Sequence, residues 1–245
     1  MFSKEIQHYL SDHGFDHFCP RAVFFDMDGV LFDSMPNHAR SWSKICTEFG
    51  LDMSPEEAFM HEGRTGEATI NILTQKYWKR NATPEEVQQI YEAKCRAFNA
   101  CAEAPRMPGA AEVVQQVKNA GLDLYVVTGS GQLSLLDRLA THFPGFFLPE
   151  RIISSKHVKY GKPHPEPYLM ALDKAGLQPW EAIVVENAPL GVQSAVGARI
   201  FTIAVNTGPL PESALLESGA HLLFPSMTAL AEQIGKILTT QGNGE

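Results

Sequence analysis

The chain has 245 residues and carries 28 acidic residues against 20 Lys and Arg, a formal net charge of −8. This length suffices for one large domain, or for a core domain with an inserted segment, with a substantial hydrophobic interior. The basic residues are scattered rather than gathered in a stripe, which argues against nucleic acid or an anionic membrane as the main partner.

Two further absences in the sequence bear on where the protein works. No apolar run approaches the length of a membrane span, and residues 1–17 lack the apolar region of a signal peptide. The four cysteines show neither metal-type spacing nor a disulfide framework. We therefore expect a cytoplasmic protein without a membrane partner.

The chain begins with a segment to which we assign no function. Residues 1–17 are predicted to be a mobile or weakly helical N-terminal extension. Residues 18–34 then carry the first strand of an α/β core, because the continuous apolar run 22–25 suits a parallel strand that is buried on both faces.

Two carboxylates follow this strand directly, Asp26 and Asp28, and Gly29 comes next. Ligands of open α/β sheets bind beyond the carboxyl ends of the strands, so a site is expected here. Carboxylates this close together repel each other unless a cation or a shared proton relieves the repulsion. A Mg²⁺ ion that also contacts substrate phosphate oxygens would relieve it.

Residues 35–106 contain no strand-like run and are predicted to form an all-helical domain inserted in the core. The helical stretches are 36–49, 54–61, 66–79 and 84–101. Two of them have strong start signals: Ser54 and Thr83 are each followed by Pro and two Glu residues.

From residue 107 to residue 245 strands and helices alternate, which predicts a doubly wound parallel sheet. This segment and residues 18–34 together would form the catalytic core. The expected strands are 122–127, 151–154, 182–185, 200–204 and 222–224, and the expected helices are 109–120, 133–142, 166–175, 190–198 and 227–238.

The pattern Asp-x-Asp-Gly-x-x-x-Asp-Ser at residues 26–34 resembles the first motif of the haloacid dehalogenase-like phosphohydrolases. The resemblance implies a Rossmann-like core with a helical cap. It also implies that Asp26 is a nucleophile that forms an aspartyl-phosphate and that Asp28 is the general acid and base. Such roles suit carboxylates, because an ionised carboxylate attacks phosphorus without first losing a proton.

Two later segments are similar to the next motifs of the same family. Thr128, Gly129 and Ser130 follow a predicted strand, and the resemblance implies that they bind the phosphoryl group. Lys162 stands in a Gly-Lys-Pro sequence, and the resemblance implies that it neutralises the nucleophile and the transferred group.

Glu186 and Asn187 follow the predicted strand 182–185 and resemble the fourth motif, in which two acids usually complete a magnesium site. Asn187 departs from that pattern, because an amide offers an oxygen but no charge. The predicted cofactor is Mg²⁺, and its candidate ligands are Asp26, Asp28, Glu186 and Asn187.

The helical segment carries three further candidate site residues, His38, Glu62 and Arg64. Residues 37–42 resemble the β-phosphoglucomutase branch, but Gly66 and Gly131 stand where that branch is expected to have cationic anchors for a second phosphate. Glu62 would supply the negative charge that the fourth motif lacks.

Residues 60–66 and 127–136 resemble a pyrophosphatase branch of the family. We therefore predict a Mg²⁺-dependent hydrolase of a small phosphorylated substrate, with inorganic pyrophosphate first. The alternatives are a β-phosphoglucomutase or sugar-phosphate phosphatase and, more remotely, a non-catalytic phosphate-binding protein. A monomer or weak homodimer is expected.

Overall fold

The computed structural model describes residues 2–131, 133–240 and 242–243. Two β-sheets are present in this part of the chain. The strands are β1 (His17–Phe18), β2 (Ala22–Phe25), β3 (Asp123–Val127), β4 (Ile152–Ile153), β5 (Ala182–Glu186), β6 (Phe201–Val205), β7 (Leu222–Phe224) and β8 (Gly242–Asn243).

The larger sheet has the strand order β4-β3-β2-β5-β6-β7, and its neighbouring strands pair in parallel. The order reverses on either side of β2, so the carboxyl end of β2 lies at the switch point where such sheets bind ligands.

Helices connect these strands and cover both faces of the sheet. They are α1 (Ser3–His13), α2 (Met35–Glu48), α3 (Pro55–Met60), α4 (Gly66–Trp78), α5 (Pro84–Asn99), α6 (Ala110–Asn119), α7 (Leu133–His142), α8 (Glu166–Ala175), α9 (Pro189–Gly197), α10 (Glu212–Glu217), α11 (Met227–Ala231) and α12 (Ile234–Thr239).

Alternate residues of β2 point into two different hydrophobic clusters. Val23 and Phe25 belong to a cluster with α1, α6, α11 and α12, whereas Ala22 and Phe24 pack with α8 on the other face. A strand buried on both faces explains the continuous apolar run in the sequence. The predicted doubly wound α/β fold is confirmed.

The first residues differ from the predicted mobile or weakly helical extension. Helix α1 packs against the core through Ile6, Tyr9 and Leu10, each exposing 1% of its surface or less. These residues recur at the spacing of one helical face, which is why the helix is held in place. Strand β1 pairs antiparallel with β8, so this end of the chain also contacts residues 242–243.

Three smaller details also differ from the sequence predictions. The predicted helix 227–238 is two helices, α11 and α12, because the backbone of Gln233, with φ −122° and ψ −19°, departs from the helical conformation between them. Strand β4 is shorter than predicted, and α10 was not predicted.

Helices α2 to α5, called the helical segment below, form their own hydrophobic cluster, which includes Trp42, Ile70 and Ile90. Ser54 and Thr83 accept hydrogen bonds from the first turns of α3 and α5, as their sequence signals indicated. The division of the chain into a core domain and a separate cap domain stays a prediction.

Among the residues described, no helix combines the length and the apolar character that crossing a membrane requires.

Candidate active site

Asp26 lies at the carboxyl end of β2 and is almost fully buried. Its backbone N–H donates to the Val185 carbonyl of the neighbouring strand at 3.0 Å, which continues the sheet and fixes the carboxylate at the switch point. The Lys162 ammonium donates to Asp26 Oδ1 at 2.5 Å, to Glu186 Oε1 at 2.5 Å and to the Val127 carbonyl at 3.0 Å. One buried cation therefore bridges two carboxylates from adjacent strands.

Both oxygens of Glu186 are engaged within the protein. Oε1 accepts from Lys162 and from the Tyr168 hydroxyl at 2.8 Å, and Oε2 accepts the backbone N–H groups of Asn187 and Ala188 at 3.0 and 3.4 Å. Burial and the Glu186 charge raise the pKa of Tyr168, so its hydroxyl remains a donor. This arrangement suits Glu186 to holding Lys162 in position.

The charge balance around Asp26 is incomplete. Burial, followed by the charges of Glu186 and Asp28, raises the pKa of Asp26 to about 8 despite the contact with Lys162. Burial and the Asp26 charge likewise raise the pKa of Glu62 well above its usual value. One lysine does not balance this many carboxylates, so added positive charge would stabilise their ionised forms.

Asp28 has a different environment from Asp26. The Ser34 hydroxyl lies 2.5 Å from Asp28 Oδ1, and His38 Nε2 lies 3.2 Å from the same oxygen. Burial opposes ionisation of Asp28, but the contacts with His38 and Ser34 outweigh it and hold its pKa below the usual range. Asp28 is therefore ionised in this arrangement, the form that can accept a proton.

Lys94 of α5 approaches His38 from the helical segment. Its ammonium donates to His38 Nδ1 at 2.8 Å, so His38 Nε2 carries the hydrogen that faces Asp28. Burial and the nearby Lys94 lower the pKa of His38. Since His38 and Lys94 both belong to the helical segment, this chain of contacts couples that segment to Asp28.

Glu62 and Asn187 meet directly across the site. Asn187 Nδ2 donates to Glu62 Oε1 at 3.0 Å, and both side chains are buried. Among the residues that the structure describes, the buried Asn187 Oδ1 atom has no hydrogen-bond partner. A buried amide oxygen of this kind can accept a hydrogen bond or ligate a hard cation.

A cavity of about 60 Å³ lies between the helical segment and the core. Its lining includes seven of the predicted site residues, which are Asp26, Asp28, His38, Glu62, Arg64, Gly129 and Ser130. Arg64 and His61 also line the cavity, and their buried Nε and Nδ1 atoms have no hydrogen-bond partner in the described part of the chain.

Thr128 lies beside this cavity at the carboxyl end of β3. Its backbone N–H donates to Ile153, and its hydroxyl accepts the Ser130 N–H at 3.0 Å. The turn 128–130 is thereby fixed next to Asp26 and Lys162. Gln132, which belongs to the second segment resembling the pyrophosphatase branch, lies outside the described residues.

The side chains present fit a hard cation. In the described ranges, no group of three or more His, Cys, Asp or Glu side chains is arranged as a complete metal site. Mg²⁺, however, commonly uses one or two carboxylates and completes its shell with water and substrate phosphate. Asp26 and Asp28, together with the partnerless Asn187 Oδ1, provide such a set of oxygens.

Two contributors to this site, Lys94 and Tyr168, were missed by the sequence analysis. Both lie within amphipathic helices, where a lysine is ordinarily solvated and an aromatic residue ordinarily fills the core. No local signal distinguishes them, because their partners are 56 and 18 residues away in the chain.

The site lies at the switch point of a parallel sheet, contains a cluster of Asp, Lys and Glu side chains and is covered by the helical segment. These features are typical of a site for phosphoryl transfer. The family model described as haloacid dehalogenase-like hydrolase matches residues 23–205, and the chain belongs to this family. The match spans every core element from β2 to β6, with the helical segment inside it.

Two curated relatives are named as phosphatases, one of hexitols and one of phosphorylated carbohydrates. The chain is 32% identical to hexitol phosphatase A of Escherichia coli (strain K12) over 190 residues, which cover 76% of this chain and 83% of that protein. It is 28% identical to the phosphorylated carbohydrates phosphatase of Thermotoga maritima, over 82% of this chain and 93% of that one.

A solved structure described as "Putative beta-phosphoglucomutase from Bacteroides vulgatus" is also similar. It is 54% identical, with a TM-score of 0.94 and coverage of 98% of both chains. These comparisons agree with the predicted family and with β-phosphoglucomutase-like neighbours. They do not support the order of substrates predicted from the sequence, since the relatives favour the sugar-phosphate alternative over pyrophosphate.

Proposed function

We propose that the chain is a Mg²⁺-dependent phosphohydrolase that works through a covalent phosphoryl group on Asp26. The observation that carries this proposal is the contact of Lys162 with Asp26, with Asp28 two positions away and held by a separate set of donors. Neighbouring carboxylates in unlike environments suit unlike chemical roles.

In the first half-reaction, an Asp26 oxygen forms a bond to phosphorus while the bond from phosphorus to the leaving oxygen breaks. Asp28, which takes up a proton from solution as the anionic substrate binds beside it, gives that proton to the leaving oxygen. In the second half-reaction, Asp28 takes a proton from water as the water oxygen attacks phosphorus, and the bond to Asp26 breaks. Thr128 and Lys162 hold the phosphoryl oxygens through both steps.

Asp26, Asp28 and Asn187 would hold the Mg²⁺ ion, with Glu62 near enough to Asn187 to take part. When bound, the ion neutralises charge on the phosphoryl oxygens. Glu186, whose oxygens are occupied by protein donors, acts by positioning Lys162.

A sugar phosphate is the first substrate class that we propose, because two curated relatives carry such names. A mutase reaction has less support from the geometry. A Cβ atom at Gly66 would lie 2.3 Å from the Tyr91 ring, and one at Gly131 would lie 2.8 Å from Ser155 Oγ. A side chain added at either position to grip a second phosphate would therefore have to displace Tyr91 or Ser155.

Inorganic pyrophosphate is the second candidate, and the contact of Glu62 with Asn187 favours it. An acidic group on the helical segment would repel an anionic leaving group unless metal accompanied it, and pyrophosphate binds metal strongly. The narrow cavity of about 60 Å³ also favours a compact substrate.

The test is phosphate release with Mg²⁺ from pyrophosphate and from a panel of hexose and hexitol phosphates, with the native chain, Asp26→Asn and Glu62→Gln. We expect Asp26→Asn to abolish release from every substrate. Loss of pyrophosphate turnover alone in Glu62→Gln would favour the second candidate. Full activity of Asp26→Asn would refute the covalent mechanism.

A further inference from the structure

Residues 59–65 of the helical segment lie against the core, and three of the facing core loops present a glycine at this contact. A Cβ atom built at Gly129 would lie 2.5 Å from the Gly63 carbonyl oxygen. At Gly161 it would lie 2.7 Å from Thr65 Cγ2 and 3.2 Å from Thr65 N. At Gly208 it would lie 3.1 Å from the Phe59 ring.

Backbone conformation does not account for these three glycines. None of Gly129, Gly161 and Gly208 has a φ between +20° and +160°, the range that disfavours other residues. A side chain at each of these positions would instead collide with an atom of residues 59–65. The glycines therefore set how closely the helical segment can lie on the core.

The helical segment also contributes a glycine to this interface, and its backbone lies close to a core side chain. Gly63, with a φ of +85°, has its backbone packed on the Lys162 side chain, and a Cβ atom there would lie 2.8 Å from Lys162 Cδ. Glu62 beside it contacts Asn187. Full approach thus brings Glu62 and Gly63 onto the groups that surround the reacting phosphoryl group.

We propose that Gly161 and Gly208 are specificity-determining positions: within the proposed range of phosphorylated substrates, they favour those with a small leaving group by allowing the helical segment to approach the core completely. This inference rests on the proposed phosphohydrolase function. In the closed arrangement the cavity has room for roughly four water molecules beyond the protein atoms. A compact leaving group fits beneath the closed segment, whereas a long one keeps residues 59–65 away from the core.

The consequence is a substrate-dependent effect of filling the glycine positions. A substrate that holds the helical segment away from the core is turned over without the close contact at Gly161 and Gly208. An added methyl group at these glycines should therefore change its kcat/KM little. Substrates turned over in the fully closed arrangement lose the positioning that closure provides, and small misplacements are expensive in catalysis.

The experiment measures kcat/KM with Mg²⁺ for pyrophosphate and for the monophosphates of ethylene glycol, glycerol and a hexitol. The variants are Gly161→Ala, Gly208→Ala and the control Gly235→Ala, which lies in α12 facing Gln116. In Gly161→Ala, kcat/KM for the smallest substrates should fall about tenfold or more relative to the hexitol phosphate. Gly208→Ala should act in the same direction more weakly, and Gly235→Ala should leave the ratio unchanged.

The double variant Gly161→Ala, Thr65→Ser provides a rescue. Serine lacks the Cγ2 atom that the new methyl group would meet, but it keeps the hydroxyl that accepts the Ala68 N–H at the start of α4. The double variant should recover most of the lost selectivity. Amide hydrogen exchange of residues 59–65 should rise in Gly161→Ala and return towards the native rate in the double variant.

Three results would count against the proposals, and they can be told apart. If the native chain releases phosphate from none of the compounds, the proposed function fails. If the native chain is active but Gly161→Ala changes every kcat/KM by the same factor, or changes none, the specificity inference alone is overturned. Unaltered exchange of residues 59–65 in Gly161→Ala also overturns it.

Discussion

Replacing Lys94 with methionine should make the protein more stable and less active. The Lys94 ammonium is buried in the helical segment, over the rings of Phe98 and Trp42 at 4.9 and 5.6 Å. Among the described residues, it makes no ion pair with a carboxylate. Its one side-chain hydrogen bond in that part of the structure is to His38 Nδ1.

The size of the effect follows from the pKa of Lys94. Burial lowers it from 10.5 to about 8, against the weaker opposing influence of Cys95, Asp28 and Cys101. The unfolded chain therefore binds this proton more tightly than the folded chain. At pH 7 both forms are protonated and the difference costs the folded state about 3 kcal/mol, whereas above pH 10.5 the cost disappears. Methionine has a similar shape and removes the charge, but it also removes the bond to His38, so a net gain of about 1–3 kcal/mol is expected.

The assay is urea unfolding of the native chain and Lys94→Met at pH 7 and pH 9.5, with the exposed Lys174→Met as control. The stability advantage of Lys94→Met should be largest at pH 7 and should shrink at pH 9.5. Phosphate release should fall, because His38 loses the donor that orients its ring towards Asp28. A variant that is less stable than the native chain at pH 7, with an unchanged dependence on pH, would refute the reasoning.

Three further outcomes are expected. Tyr168→Phe removes a hydrogen bond to the buried Glu186 carboxylate and should lower the free energy of unfolding by about 1.5–3 kcal/mol, measured by urea unfolding; an unchanged midpoint would contradict that bond. His221 has its pKa lowered by burial to about 4, so the native chain should lose about 2 kcal/mol of stability between pH 7 and pH 5 that His221→Gln does not lose; parallel pH curves would argue against this. Gly191→Ala would place a methyl group 1.9 Å from Glu186 Oε1 and should abolish most phosphate release; normal activity would mean that Glu186 can move without consequence.

The sheet could be predicted from the sequence because its signals are local. The run 22–25 is apolar at every position, and the strands of the core alternate with helices at regular intervals. Start signals at Ser54 and Thr83 correspond to observed side-chain caps. By contrast, the apolar spacing of helix α1 is visible in the sequence, but no local pattern shows that the helix packs against the core.

The sequence was sufficient to predict which residues form the candidate site, but not the contacts that they make with one another. The structure brings Asp26, Asp28, Lys162 and Glu186 together, but their roles stay predictions. Sequence reasoning treated Glu186 as a metal ligand, whereas its oxygens are fully engaged by protein donors, including Tyr168. Contacts of this kind depend on how distant segments pack in three dimensions, and no sequence pattern in either segment indicates its partner.

The junction between the helical segment and the core has a consequence for how such proteins diversify. The outgoing and returning chains lie side by side: Asp33 N–H donates to the Pro105 carbonyl at 3.0 Å, and Met107 N–H donates to the Leu31 carbonyl at 2.9 Å. An insertion that leaves and re-enters at neighbouring points places little demand on its own length or shape, since the entropy of closing a loop grows slowly with length. Duplication and exchange of this segment during evolution, or by grafting in the laboratory, can therefore alter what is recognised while the sheet and its carboxylates are inherited unchanged.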